Sequence, residues 1–429
     1  MSGSNPSLPA VSKRDERLGL FEGIGVEIEY AIVERDQLNV RPIAAQLLRD
    51  RQQHVQRTAL HGSMGWSNEL AAHVLEIKNL TPTRKLTPLI ERFQDEVVTA
   101  GHRLEKLDAQ LLPTAMHPWM DPRTESSLWD HEDALIYRTF DRIFDCRHHG
   151  WMNLQSVHIN LPFANDEEFR RLHAAIRTVL PLLPGIAASS PILEGRVTGF
   201  ADSRLHHYLS HSGRIPESLG LVIPETLRNE AEYQRQVYAP LERAAAALDP
   251  EGVLEAVWLN ARGAIARFDR GSIEIRLLDS QECPLADLAI VALVAAVVRA
   301  LCEERWCDIA DLERLPTPHL RQQLEQAIES ADDATVGDHT LLECLGWPYG
   351  DRPTLAELWR HLARSVESDP WIDARLANAI ESTLARGTLA SAIVEATGQD
   401  PDRATLLRVY DHLATCLAEG IRFNADDCA

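Results

Sequence analysis

Lysine is nearly missing from this chain. Only Lys13, Lys78, Lys85 and Lys106 occur, so any clamp for phosphate must be built from arginine. No G-x-x-x-x-G-K-[ST] loop is present and no G-x-G-x-x-G follows a strand, which excludes a glycine cradle for a nucleotide. A nucleophile elbow is absent too. The 7 cysteines are odd in number and include no C-x-x-C pair, which argues against a disulfide framework or zinc ribbon and for a reduced, cytoplasmic setting. The longest apolar run, Leu288 to Val298, is bounded by Asp287 and Arg299 and is too short to span a bilayer. Met1 to Arg17 is polar without the apolar centre of a secretory signal and predicts a loose tail. Positive charge as a whole is in deficit: 43 Lys and Arg against 64 Asp and Glu give −21, which would repel a nucleic-acid backbone.

What is there suits a packed enzyme, with 45% hydrophobic and 25% charged residues. From Gly23 to Val33, Ile24, Val26, Ile28 and Tyr30 alternate with Gly25, Glu27, Glu29 and Ala31, the period of a strand with one apolar face. Leu70 to Asn79 predicts a second strand, Pro88 to Leu111 a helix, Asn153 to Phe163 a strand, and Asp166 to Leu183 a helix with Asp166 as N-cap. Pro118 to Ser127 and Trp129 to Asp145 read as active-site loops. Gly263 to Phe268 and Ser272 to Leu278 form a hairpin around Asp269-Arg270-Gly271. From Pro284 onward the periodicity is helical, over Leu285 to Trp306, Pro318 to Ala331, Thr354 to Ser365, Ile372 to Ala385 and Ala404 to Ala418. The expected plan is α+β, strands with interspersed helices first and a helical C-terminal third packed on them, divided as tail 1–18, a strand-bearing region 19–306 and a helical region 307–429.

Glu27 and Glu29 leave one face of their strand about 7 Å apart, as the pleat requires. Two carboxylates there suit a cation, although a lone E-x-E is more ordinarily a solvated face. Glu69 and Glu76 are separated by an odd number of residues, so a bulge or turn is needed if both point the same way. Ser156, His158 and Asn160 share a face, as do Glu274 and Arg276; a packed histidine and a surface ion pair are the plain alternatives. Ser189-Ser190-Pro191, with Arg196 and Arg204 following, is rich in turn formers whose backbone N–H groups and guanidiniums could hold an anion. Further arginines, Arg262, Arg267 and Arg270, fall on the later hairpin. His73 reads as a packed or surface histidine, and His148, His149, His206, His207 and His211, in loop-like sequence, as surface residues.

In order, G-V-E-I-E-Y, E-x6-E, Q-S-V-H-I-N, S-S-P-I-L-E-G-R with T-G-F-A-D-S-R, and G-S-I-E-I-R-L-L-D make a set that resembles the bacterial glutamate–cysteine ligase family, including its carboxylate–amine ligase branch. The likeness covers roughly residues 20 to 305 and implies that 19–306 is a glutamine synthetase-like catalytic region, an antiparallel sheet with flanking helices that holds Mg2+ (or Mn2+) and ATP. It implies a metal set of Glu27, Glu29, Glu69, Glu76, His158 and Glu274, with Glu27 also counted as catalytic. Arg276 would face phosphate, with Arg262 and Ser190 beside it, and Arg196 and Arg204 would bind the amino-acid carboxylate or transferring phosphoryl group, with Gln155 near the substrate. One departure stands out: many carboxylate–amine ligase relatives carry H-V-H-V where this chain has Ser156-Val157-His158-Ile159, and His158-x-Asn160 is similar to the other bacterial branch.

The reaction so implied is attack of the glutamate side-chain carboxylate on ATP, followed by displacement of phosphate from the acyl phosphate by an amine such as cysteine, as in glutathione biosynthesis. Another amine, a guanidino kinase-like phosphotransfer, and a non-catalytic binding protein are the rivals. Small molecules are the expected partners, with no nucleic acid or membrane, and a homo-oligomer is compatible with the sequence.

Overall fold

The apolar residues of the first strand reach complete burial: Ile24, Val26, Ile28 and Tyr30 are each 0% exposed. Burial of this kind stabilises by about 1.5–3 kcal/mol for each isoleucine or valine and fixes which way the strand faces. The structure, a computed structural model, describes residues 17–50 and 52–428. Apart from Arg17 and Leu18, the tail expected over 1–18 lies outside the described residues.

The strands are β1 (Gly25–Glu34), β2 (Thr58–His61), β3 (Met64–Asn68), β4 (Val74–Asn79), β5 (Ala109–Leu112), β6 (Ser156–Pro162), β7 (Ile192–Leu193), β8 (Arg196–Val197), β9 (Ala264–Arg267) and β10 (Ser272–Asp279). Eight of them build one antiparallel sheet in the order β2-β3-β4-β1-β6-β10-β9, with β5 pairing the end of β1. β7 and β8 form a separate small hairpin. The mixed architecture with an antiparallel sheet and a helical C-terminal region is the expected one.

Several boundaries move, each for a local reason. The strand expected over Leu70 to Asn79 is shorter: β4 begins at Val74, and the residues before it form the turn that joins it to β3, which ends at Asn68. The helix expected to run from Pro88 to Leu111 spans Thr87–Glu105, and the chain reverses through Asp108 (φ 55°) into β5. Asn165, rather than Asp166, caps the helix Asp166–Val179, its side chain accepting from the backbone N–H of Glu168. The stretch expected as a loop from Trp129 to Asp145 contains the helix Ala134–Phe144, bracketed by Asp133 (φ 68°) and Asp145 (φ 50°), residues that tolerate the left-handed region. The later hairpin turns through Gly271 (φ 68°), where only glycine adopts that conformation without penalty.

Helices Thr87–Glu105, Asp166–Val179 and Pro284–Cys302 pack behind the apolar face of the sheet. Pro284–Cys302 is long and apolar enough to cross a bilayer, yet 89% of its apolar window is buried inside the protein, where it touches Asp166–Val179 and Ala374–Arg386. One hydrophobic core runs from Ile24 to Leu417 and so crosses the boundary expected at 306. A second cluster docks Arg403–Glu419 against Ala31, Val33 and Leu112. Among the described residues no strand follows β10.

His173 lies in this packing between Phe169 and Tyr233, 1% exposed, with neither ring nitrogen hydrogen-bonded. Burial, with Arg177 and Arg262 repelling a second positive charge, pushes it down from 6.5 to about 3. Its folded value lies below its unfolded one, so the unfolded chain takes up this proton first; the stabilising effect is complete above about pH 6.5 and is lost as pH falls toward 3. His173→Phe should therefore hold its stability at pH 7 and reduce the acid-induced loss between pH 6 and 4 by about 1.4 kcal/mol per pH unit, read by denaturant unfolding. An unchanged slope would contradict a neutral buried His173.

Candidate active site

Antiparallel register decides which side chains meet. On β1, Glu29 stands opposite Glu76 of β4, and Glu27 stands opposite Lys78 of β4 on one side and His158 of β6 on the other. Glu274 of β10 pairs with Asn160 of β6, and Ser67 of β3 with Glu76. Residues directly opposite share a face, so the side of the sheet away from the core carries Glu27, Glu29, Glu76, His158, Asn160 and Glu274 together. The hairpin turn between β3 and β4 brings Glu69 over the same face and removes the difficulty of its odd spacing from Glu76. The β6–β10 register skips between Ile275 and Leu278. Arg276 sits in that bulge, a device that re-aims side chains beside sites.

The carboxylates are closely held. Ligand atoms of Glu29, Glu69 and Glu76 lie within 4.8 Å of one another, and so do those of Glu27, Glu76 and His158. His158 Nδ1 is 3.7 Å from Glu27 and 4.0 Å from Glu274, and Nε2 is 3.9 Å from Glu29. Neighbours fix the acids in place: Ser156 donates to Glu29 from its backbone N–H (2.7 Å) and its hydroxyl (3.0 Å), Ser67 Oγ donates to Glu76 (2.6 Å), and Asn160 Nδ2 to Glu27 (3.2 Å).

Crowding of like charge shows in the proton affinities. Burial and then Glu76 and Glu29 push Glu69 well above the ordinary carboxylate range. Burial likewise raises Glu29 and Glu76, with Glu76 adding to the first and Glu27 to the second. Burial lowers His158, although Glu29 pulls the other way. Glu274 behaves differently: burial works against its charge, but Arg276, His158 and Arg267 hold it below the usual range. A cluster of buried carboxylates with raised affinities is a site that a cation would relieve, and five oxygen donors with one imidazole suit a hard divalent ion.

Cations rim the acids. Arg276 Nε lies 3.0 Å from Glu274, Arg267 3.7 Å from it, and Lys78 Nζ bonds Glu76. Three adjoining chambers open over this face. An outer, polar one of about 570 Å³ holds Glu27, Glu76, Lys78, Arg267, Arg270 and Arg276. An inner one of about 200 Å³ runs from Glu29, Glu69 and His158 to a wall of Phe140, Trp151 and Trp258. A third, of about 210 Å³, lies toward Arg57 and Asp133. Tyr137 and Arg276 border all three.

The expected metal set, Glu27, Glu29, Glu69, Glu76, His158 and Glu274, is thus brought together, with Arg276 beside it. Arg204 lines the inner chamber; it is 2% exposed, its Nε is held by Asp279, and its Nη2 has no hydrogen-bond partner. Four expected residues stand elsewhere. Arg196 is exposed on β8, beyond the two-residue turn Glu194-Gly195 (φ 48° and 76°), and is not among the residues lining the cleft. Arg262 is spent on Glu225, contacting both oxygens at 2.7 Å. Ser190 is buried, its hydroxyl donating to Asp279 (2.9 Å), so it reaches the cleft only through the Asp279–Arg204 pair. Gln155 is 1% exposed with an unpaired amide and lies outside the lining.

Lys78 was not expected here, though its i+2 spacing from Glu76 on a strand is a readable signal. Tyr137, Arg57 and His211 carry no such signal. His211, expected at the surface, is 7% exposed in the inner chamber.

A protein from Archaeoglobus fulgidus, named only as uncharacterized, is 33% identical over 324 residues, covering 72% of this chain and 86% of its own length. A relative from Nocardioides sp., provisionally named glutamate–cysteine ligase 2-1, is 26% identical over 288 residues, 66% of this chain and 69% of its own. The crystal structure of a glutamate–cysteine ligase from Francisella tularensis in complex with AMP superimposes with a TM-score of 0.59 over 92% of this chain and 88% of that one, at 12% identity, a likeness of fold. Residues 23–382 match the model of glutamate–cysteine ligase family 2, and the chain belongs to that family.

Proposed function

We propose that the protein is an ATP-dependent carboxylate–amine ligase that activates the side-chain carboxylate of glutamate as an acyl phosphate and passes it to an amine, with cysteine the leading acceptor. One observation carries the reading: two acidic triads that share Glu76, set on one sheet face and rimmed by Arg267, Arg270 and Arg276. Family membership supports a ligase of the glutamate–cysteine type.

Glu29, Glu69 and Glu76 would hold one divalent ion, Mg2+ or Mn2+, and Glu27, Glu76 and His158 a second. Such ions screen phosphate oxygens and make the γ-phosphoryl group a better electrophile. The outer chamber offers the nucleotide phosphates a positive rim, with Arg276 at the junction where the γ-phosphate and the inner chamber meet. Arg276 stays charged there because Glu274 raises it against the effect of burial. The inner chamber, with the unpaired Nη2 of Arg204, suits a carboxylate-bearing substrate and the amine. The carboxylate oxygen attacks the γ-phosphorus and ADP departs; the amine then attacks the acyl carbon and phosphate departs. Positioning and charge complementarity account for the catalysis without a covalent enzyme intermediate. All seven cysteines are free, which supports a reducing cytoplasm as the setting.

Purified protein with ATP, Mg2+, glutamate and a panel of amines should release phosphate and form an amide of matching mass. Acceptor-dependent phosphate release without an amide would sink the ligase reading. Glu27→Gln should abolish turnover while leaving thermal unfolding unchanged, and full activity would remove Glu27 from the site. Loss of a group merely behind a metal ligand costs about 10- to 100-fold in affinity. Glu76→Gln, which removes the shared ligand, should weaken Mn2+ binding in calorimetry by roughly a hundredfold or more; unaltered binding would place the ions elsewhere.

A further inference from the structure

His211 stands in the wall of the inner chamber, which Glu29, Glu69 and Arg276 also line. Its ring is wedged between Trp151, 4.6 Å away and edge-on, and Tyr208, 4.4 Å away. The Nδ1 atom lies 2.6 Å from the backbone carbonyl of Tyr208. A carbonyl only accepts, so Nδ1 carries the proton and Nε2 a lone pair. The backbone is pinned as well, since Trp151 Nε1 donates to the carbonyl of His211 at 3.0 Å. Among the described residues Nε2 has no hydrogen-bond partner. Two more polar groups of this chamber are buried and unpaired, Ser212 Oγ and Arg204 Nη2, which marks the space as one that receives a polar ligand.

We propose that the inner chamber receives the acceptor as a primary amine and that His211 Nε2 takes from it the proton whose loss frees the nitrogen lone pair. This rests on the ligase reading above. The bound ammonium gives one proton to Nε2. Its lone pair forms the C–N bond at the acyl carbon, and the C–O bond breaks with its electron pair leaving on phosphate. The nitrogen's second surplus proton departs with that phosphate, leaving a neutral amide, and the imidazolium returns its proton to solvent. Burial, against the hydrogen bond to Tyr208 and with His148 and Arg276 repelling a positive ring, lowers His211 to about 4, so the ring is neutral at pH 7 with the Nε2 lone pair open. Phosphate held at Arg276 cancels one of those repulsions and makes the ring more basic when the acyl phosphate is in place.

Hydroxylamine separates this role from a structural one, because it is largely unprotonated at neutral pH and needs no base to become a nucleophile. His211→Asn places an amide N–H near the Nδ1 position, so it can keep the bond to Tyr208, and it lacks Nε2. With ATP, Mg2+ and glutamate, this variant should lose roughly a hundredfold or more in amide formation from alkylammonium acceptors, a loss that shrinks as pH rises. Hydroxamate formation should stay within a few-fold of the unsubstituted protein, with His211→Gln giving the same split. Equal losses for both nucleophiles, or no loss with either, would overturn the role of His211 alone. Absence of hydroxamate from the unsubstituted protein would overturn the ligase reading and this proposal with it.

Discussion

The register of β1 against β4 and β6 is the constraint on which the rest hangs. With Glu29 opposite Glu76 and Glu27 opposite His158, these two acids of β1 point away from the main core while Val26, Ile28 and Ile32 point into it. Side chains alternate with a period of two, so a slip of one residue would drive two carboxylates into the packing of Pro284–Cys302 and expose Ile24, Val26 and Ile28. The hydrophobic effect on one face therefore holds the electrostatically unfavourable crowd on the other. Neither face would be stable in this arrangement by itself.

The acids are kept close by groups that leave some of their lone pairs free. Ser156, Ser67 and Asn160 each hydrogen-bond one oxygen of a carboxylate, which orients it without neutralising it. Charge balance comes from the rim, where Arg276 and Arg267 meet Glu274 and Lys78 meets Glu76. Buried charges that are only partly paired destabilise a fold. Local inconsistency of this kind, inside a sheet whose other face is wholly consistent, is the mark of a functional site rather than of poor packing.

Much of this could be read from the sequence, because a strand's period of two turns neighbouring letters into faces. Glu27 with Glu29, Ser156 with His158 and Asn160, and Glu274 with Arg276 were legible for that reason. What periodicity cannot supply is partnership across the fold. Arg262 and Arg204 look alike as letters, but Glu225 occupies the first while the second keeps a free Nη2. Arg196 follows a tight hairpin turn that carries it outward, and the two positive φ angles that do so come from a Glu-Gly pair easily passed over. Helix Ala134–Phe144 was hidden by the turn-forming residues around it, and with it Tyr137, which borders every chamber.

Glu76 belongs to both triads, and a single carboxylate cannot offer its full charge to two ions independently. Occupancy of one position must change the affinity of the other, and thermodynamic reciprocity makes the effect equal in both directions. Two ions held there would repel each other, and the shared carboxylate would attract both. On the proposed metal reading, one side chain of the sheet would thus link the two positions.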